Sequence, residues 1–129
     1  MENKLNKATE LRPEGTRLID APLVKMDIKA FIEQIKDEKQ WKDSDRNAIT
    51  IFKTIGMTIV LIALHKNASM PSHSTEGIIS LQVLEGNIYF TTEAQSVELI
   101  EGDMIALHES ILHRVEAIKK SVLLLTIAS

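Results

Sequence analysis

The sequence predicts an all-β sandwich or barrel, preceded by an N-terminal extension that carries one helix. Three observations predict it. From Asn47 onward the chain breaks into eight short runs rich in Ile, Val, Leu and Thr, evenly spaced and separated by turn residues. Residues 27–39 alone show an apolar stripe at helical spacing. The composition, 44% hydrophobic and 26% charged over 129 residues, is that of one globular domain large enough to bury its own core without a disulfide or metal staple.

In chain order, residues 1–10 are polar and are expected to fray. Residues 11–26 (LRPEGTRLIDAPLVKM) hold a Pro-Glu-Gly turn and an Ala-Pro step. Pro13 and Pro22 exclude a helix there, so Arg17–Ile19 and Leu23–Met26 read as short extended segments. Asp27 stands where an N-cap belongs. Ile28, Phe31, Ile32 and Ile35 then follow at i, i+3, i+4 and i+7, predicting an amphipathic helix that ends near Lys39. Lys29, Glu33, Lys36 and Asp37 form its solvated face, and Trp41 reads as a packing anchor. The pattern divides the chain into an extension over 1–46 and a barrel over 47–129.

The eight strand candidates are NAITIFKT, MTIVLIALH, IISLQVLE, NIYFTT, SVELI, MIAL, ILHRVEAI and SVLLLTIA. Gly86-Asn87, between LQVLE and IYF, predicts a hairpin because both residues tolerate positive φ. In ILHRVEAI the period of two puts Ile111, His113, Val115 and Ala117 on one face and Arg114 and Glu116 on the other. The two charged side chains need water, so His113 must point inward. Gln82 falls on the outer face by the same alternation.

Several classes of function drop out. Fifteen Lys and Arg against eighteen Asp and Glu leave a net charge of −3, with no basic field to hold a phosphate backbone, so no nucleic-acid partner is expected. Cysteine is absent, which removes thiol catalysis and thiolate metal sites. The first fifteen residues lack an apolar signal core, and Ile59–Leu64 is far shorter than the ~20 residues that span a bilayer; a cytoplasmic protein without a membrane partner is expected. No glycine-rich phosphate loop and no nucleophile–base pair stands out; Ser72 and Ser74 read as ordinary loop residues.

Four histidines remain: His65, His73, His108 and His113. If His73 and His113 converge at the barrel mouth, they could hold Zn, Fe, Mn, Ni or Cu together with a carboxylate and water. The other reading is that each imidazole is a hydrogen-bonded mouth or core residue. Spacing alone leaves both open, since no pattern such as H-E-x-x-H is present.

The stretches Asn67 to Gly86 and Gly102 to Ala117 resemble the two motifs of the cupin superfamily of small β-barrels. Against G-x5-H-x-H-x3-E-x6-G, Asn67 stands at the first glycine, His73 and Thr75 at the histidines, Ile79 at the glutamate and Gly86 at the last glycine. Against G-x5-P-x-G-x2-H-x3-N, Gly102, His108, Ser110, His113 and Ala117 take the successive positions. The resemblance spans about residues 57–128 and implies a single jelly-roll barrel. It also implies a pocket lined by His73, Thr75, Ile79, Leu81, His113 and Val115. Cupins that bind metal use both histidines and the glutamate of the first motif with the histidine of the second. Here only His73 and His113 remain, and His65, His108, Glu76 or Glu109 would have to supply a third ligand.

Cupins commonly pair, so a homodimer is expected. Leu18, Ile19, Leu23, Val24, Phe31 and Ile35 of the extension are available to cover a sheet face or a partner. The resulting expectation is a small-molecule-binding barrel whose pocket is capped by His73 and His113. The alternative is a metal-dependent enzyme of the dioxygenase or isomerase type using a divalent Zn, Fe, Mn or Ni ion. A third reading is a structural barrel acting through its dimer surface. Whether the chain is an enzyme stays open at this point.

Overall fold

The computed structural model describes residues 2–129. The barrel runs β3 (Arg46–Thr54), β4 (Met57–Leu64), β5 (Ser69–His73), β6 (Ile78–Glu85), β7 (Asn87–Thr92), β8 (Ser96–Ile100), β9 (Met104–Leu107), β10 (His113–Ala117) and β11 (Ser121–Ala128). Ahead of it come β1 (Lys4–Asn6), β2 (Arg17–Asp20), α1 (Ile28–Asp37) and α2 (Lys39–Asp43). All strand pairs are antiparallel. One sheet has the order β3-β4-β11-β6-β9 and the facing one β5-β10-β7-β8, while β1 and β2 form a separate ribbon. The all-β jelly-roll expectation is met.

The unbroken apolar runs of β4 and β11 have a direct cause. Both are central strands of a sheet buried on two faces, so neither side of the pleat needs polar residues. Ile62, Leu64 and Leu123 point between the sheets, where they meet Leu81, Val83, Ile88, Phe90, Leu99 and Val115. Leu61, Ala63 and Val122 point outward, onto Ile35 and Trp41 of the extension. The apolar residues of the helix are thus buried against the chain's own sheet.

The α1 N-cap is as expected, with the Asp27 carboxylate accepting the Ala30 amide at 3.1 Å. The end differs. Glu38 takes extended backbone (φ −74°, ψ 150°), and a second short helix follows, which swings Trp41 back under α1. The break is held by polar contacts. Arg12 meets the Glu38 carboxylate at 2.9 Å, and buried Asn47 donates to Ile35 O and Glu38 Oε1, both at 2.9 Å. Arg12 and Arg17 also donate to the carbonyls of Ala48 and Thr50, at 2.5 and 2.7 Å. These guanidinium groups take the place of a neighbouring strand on the free edge of β3.

Four local expectations are corrected. Residues 4–6 do not fray but pair with β2, Leu5 opposite Leu18, because the extended RLID segment offers them an edge. Leu23–Met26 forms no strand: it follows a bend at Pro22, with Leu23 85% exposed and no neighbouring strand to pair with. Ser69–His73 is a strand despite Pro71, since β5 lies at a sheet edge, where a missing N–H is tolerated. Gly86-Asn87 is not a hairpin, because β6 and β7 belong to different sheets. Gly86 (φ +93°) is a corner between sheets, where a side chain would collide with the Ser121 hydroxyl and the Lys120 carbonyl. Ser121 fastens that corner, its Oγ accepting the Asn87 amide at 3.0 Å.

Candidate functional site

The site is assembled where β5 and β10 run side by side. Their register sets His73 directly opposite His113, and on its other side His113 faces Thr92 of β7. Two turns deliver these strands. Asn67 (φ +72°) begins the turn into β5, and Ser110 (φ +64°) begins the approach to β10. Both occupy glycine positions of the motif pattern and both keep the left-handed backbone that glycine would adopt. The turns are tied together: Asn67 N donates to Ala117 O at 2.8 Å, and Ser110 N donates to Thr75 O at 2.8 Å.

His113 is 4% exposed, with its neighbours Val115 and Ala117 also buried and Arg114 and Glu116 exposed, as the alternation requires. Ile111 departs from that expectation: it precedes β10 and is exposed. The His113 ring sits between two others. The His73 ring centroid lies 4.3 Å away at a tilt of 58°, and Phe90 lies 5.4 Å away and nearly parallel. His73 itself is exposed, so the pair spans the boundary between core and solvent.

Each imidazole is oriented by its own backbone. His73 Nδ1 is 3.0 Å from Pro71 O, and His113 Nδ1 is 2.9 Å from Ile111 O. A carbonyl only accepts, so each Nδ1 is the donor, and in the neutral form of either ring the lone pair lies at Nε2. Neither Nε2 has a hydrogen-bond partner among the described residues.

Below the pair the barrel is packed hydrocarbon. Leu81 and Val115 belong to the inter-sheet core, and Ile79 is buried between Leu107 and Ile127 on the flanking strands. Thr75 is half-buried beyond the end of β5 and meets the second motif through its backbone carbonyl. Open space lies to the side. A cleft of about 510 Å³ separates Thr92–Gln95 from the segment holding Leu107, Ser110, Ile111 and Leu112. Thr92 and Phe90 at the site were missed by sequence reasoning, since the assumed hairpin paired β7 with β6 instead of β10.

The other two histidines do not join the pair. His65 stacks on Trp41 with centroids 3.5 Å apart, and its Nε2 lies 2.8 Å from Trp41 O, so the ring is engaged by the extension. His108 is solvent-exposed, its Nδ1 3.9 Å from Glu109. Among the described residues no group of three or more His, Asp or Glu side chains gathers in a way that could hold a metal. His65, His108, Glu76 and Glu109, the residues considered for a third ligand, form no such group with His73 and His113 among the described residues. Ile79 and Thr75 supply no substitute, so the donors present do not fit the transition-metal centre that metal-binding cupins carry.

No protein-family model matches the chain, and no curated protein matches it. Solved structures do. An RmlC-like cupin from Desulfovibrio desulfuricans superposes with a TM-score of 0.61 at 25% identity, over 67% of this chain and 84% of that one. A cupin superfamily protein from Desulfitobacterium hafniense DCB-2 gives 0.63 at 14% identity, over 64% and 76%. By its fold the chain is a cupin. The same barrel recurs in a salicylate 1,2-dioxygenase from Pseudaminobacter salicylatoxidans, with a TM-score of 0.60 at 15% identity, over 65% of this cupin and 26% of that chain. No helix in this cupin is long and apolar enough to cross a membrane among the described residues.

Proposed function

We propose that this cupin binds a small molecule at its barrel mouth, holding a hydroxyl or N–H group of the ligand against His73 and His113. The observation that carries the reading is the pair of Nδ1–carbonyl hydrogen bonds, which leave both Nε2 atoms without a partner among the described residues. The histidines do not line the cleft themselves but adjoin it through Thr92, the strand partner of His113, and through Leu112. The apolar wall at Leu107, Ile111 and Leu112 would take the ligand's hydrocarbon part. Ligand-observed NMR against a panel of polyols, amides and amines tests it. Hits that lose their signal in both His73→Ala and His113→Ala are expected. A panel with no such hit overturns the reading.

A second reading, a metal-dependent enzyme of the dioxygenase or isomerase type, draws on the same two Nε2 atoms and on the shared barrel of the salicylate dioxygenase. Two protein ligands fall short of the three that a catalytic site normally has. Elemental analysis of untagged protein separates the two. Near-stoichiometric Zn, Fe, Mn or Ni that disappears in both histidine variants favours the enzyme, and below about a tenth of an equivalent after reconstitution removes it. The proposal further takes the protein as a cytoplasmic homodimer. A single 14.5 kDa species in light scattering at high concentration overturns the dimer.

A further inference from the structure

The extension builds a second cleft, away from the histidine pair. It encloses about 300 Å³, at the lower end of the ~300–1,000 Å³ usual for small-molecule sites, and Lys7, Arg12 and Arg17 line it together with Asn6, Thr9 and Asn47. None of these residues belongs to the motifs that the barrel shares with other cupins.

The charges in this cleft are not balanced. Arg12 is neutralised by Glu38, which it meets at 2.9 Å. Among the described residues neither Arg17 nor Lys7 has a carboxylate partner, so three cations face one anion. Arg17 is bound only by two backbone carbonyls, its Nε to Thr50 O and its Nη1 to Gly15 O, both at 2.7 Å. Those two bonds lock the guanidinium in place while leaving Nη2 with no partner among the described residues. Arg12 keeps Nη1 in the same state. Burial, then the neighbouring Arg12 charge, holds the Arg17 pKa below its ordinary value, with Glu38 opposing in part. The two guanidinium groups therefore feel each other's charge without full compensation.

Capping the edge of β3 explains the Nε and Nη contacts that are made. It does not explain two unengaged, pre-oriented donors beside an unpaired lysine. We propose that this cleft binds a small-molecule oxyanion, a phosphate or carboxylate group, between Arg12, Arg17 and Lys7. Fixed guanidinium forks suit the oxygens of such groups, and Lys7 adds a flexible third charge from the rim.

The test is a titration of the full chain with inorganic phosphate, and separately with succinate, at constant ionic strength set by chloride. The arginine Nε–H cross-peaks of 15N-labelled protein report it. Saturable shifts of Arg12 and Arg17 are expected in the millimolar range, about 1–10 mM, with phosphate or succinate distinguishing the two oxyanion chemistries. Lys7→Gln, at an exposed position that contributes no packing, is expected to weaken the midpoint about threefold or more. His73→Ala is expected to leave it unchanged, which keeps this site distinct from the barrel mouth. Shifts that fail to saturate with either oxyanion, shifts that chloride reproduces, or a Lys7→Gln midpoint equal to wild type each overturn the proposal, as does loss of binding in His73→Ala.

Discussion

Replacing Asn47 by Ala should be among the most damaging single changes outside the barrel interior. Asn47 is 4% exposed and uses both ends of its amide. Nδ2 donates to Ile35 O and Glu38 Oε1 at 2.9 Å each, while Oδ1 accepts from the Ala48 amide at 2.9 Å and Arg12 Nη2 at 3.2 Å. Alanine leaves all four without this partner. The Ile35 carbonyl is the costliest: it lies near the C-terminus of α1, where carbonyls lack intrahelical partners, and stranding a buried acceptor costs about 1–3 kcal/mol. Ala48 is exposed and can turn to water, and Arg12 and Glu38 retain each other, so these add only about another 1 kcal/mol. The sum is about 2–4 kcal/mol. In a chain of this size that lowers Tm by roughly 8–15 °C. Urea unfolding followed at Trp41 fluorescence measures it directly. A loss under about 1 kcal/mol would refute the clamp as the element that joins the helix break to β3. The variant carries a second readout at Glu38. Burial alone would raise that carboxyl's pKa, but hydrogen bonds from Arg12, Asn47 and Gln34 outweigh it and hold the pKa below its ordinary value. A depressed folded pKa gives stability that is present above the unfolded value and lost as pH falls through the folded one. Removing the Asn47 donor raises the folded pKa toward the unfolded value, so the acid limb of the stability curve should become smaller, its upper end unmoved and its lower end at higher pH.

Glu38→Gln should flatten that acid limb, because the group that takes up the proton is gone; an unchanged slope of urea midpoint against pH between about 3 and 5 counts against the assignment. Gly86→Ala and Gly102→Ala share a φ near +93° but differ in space, with backbone and Ser121 crowding the first and nothing within 4 Å of the second. The first should destabilise by about 3 kcal/mol or more and the second by about 1 kcal/mol, so equal losses in thermal unfolding would show that crowding is not what sets the corner. At Ser110 (φ +64°), Gly should be neutral to slightly stabilising and Val should cost about 2 kcal/mol; a Val variant as stable as wild type would contradict the left-handed turn.

The barrel strands were legible because their signal is local. Each of the eight runs alternates or is continuously apolar according to how many of its faces are covered, and turn residues separate them. The inward direction of His113 followed from Arg114 and Glu116 alone, since neither charge can be buried unpaired. What failed was pairing. Gly86 permits a hairpin and a corner equally well, and only the strand order, which sets β6 beside β11 and β9 but β7 beside β10 and β8, makes it a corner. The Pro71 strand was hidden for a related reason: a proline is tolerated or not depending on whether its strand lies at an edge, which local pattern does not encode. His65 looked equivalent to the other histidines because its engagement is with Trp41, an aromatic more than twenty positions earlier, on a second short helix that the periodicity of the first does not announce.

By itself the sequence determined the class of fold, eight of the barrel's nine strands, the capped helix, and the two imidazoles that could serve as a pair. Periodicity and charge are properties of single segments, and they survive without knowing which segments touch. The tertiary structure decided the rest. It set His73 opposite His113, turned their Nε2 atoms free of the backbone, withheld a third ligand by drawing His65 to Trp41, and gathered three cations of the extension around one cleft. Those outcomes depend on strand order and register, which arise from long-range packing between surfaces that no short window of residues contains.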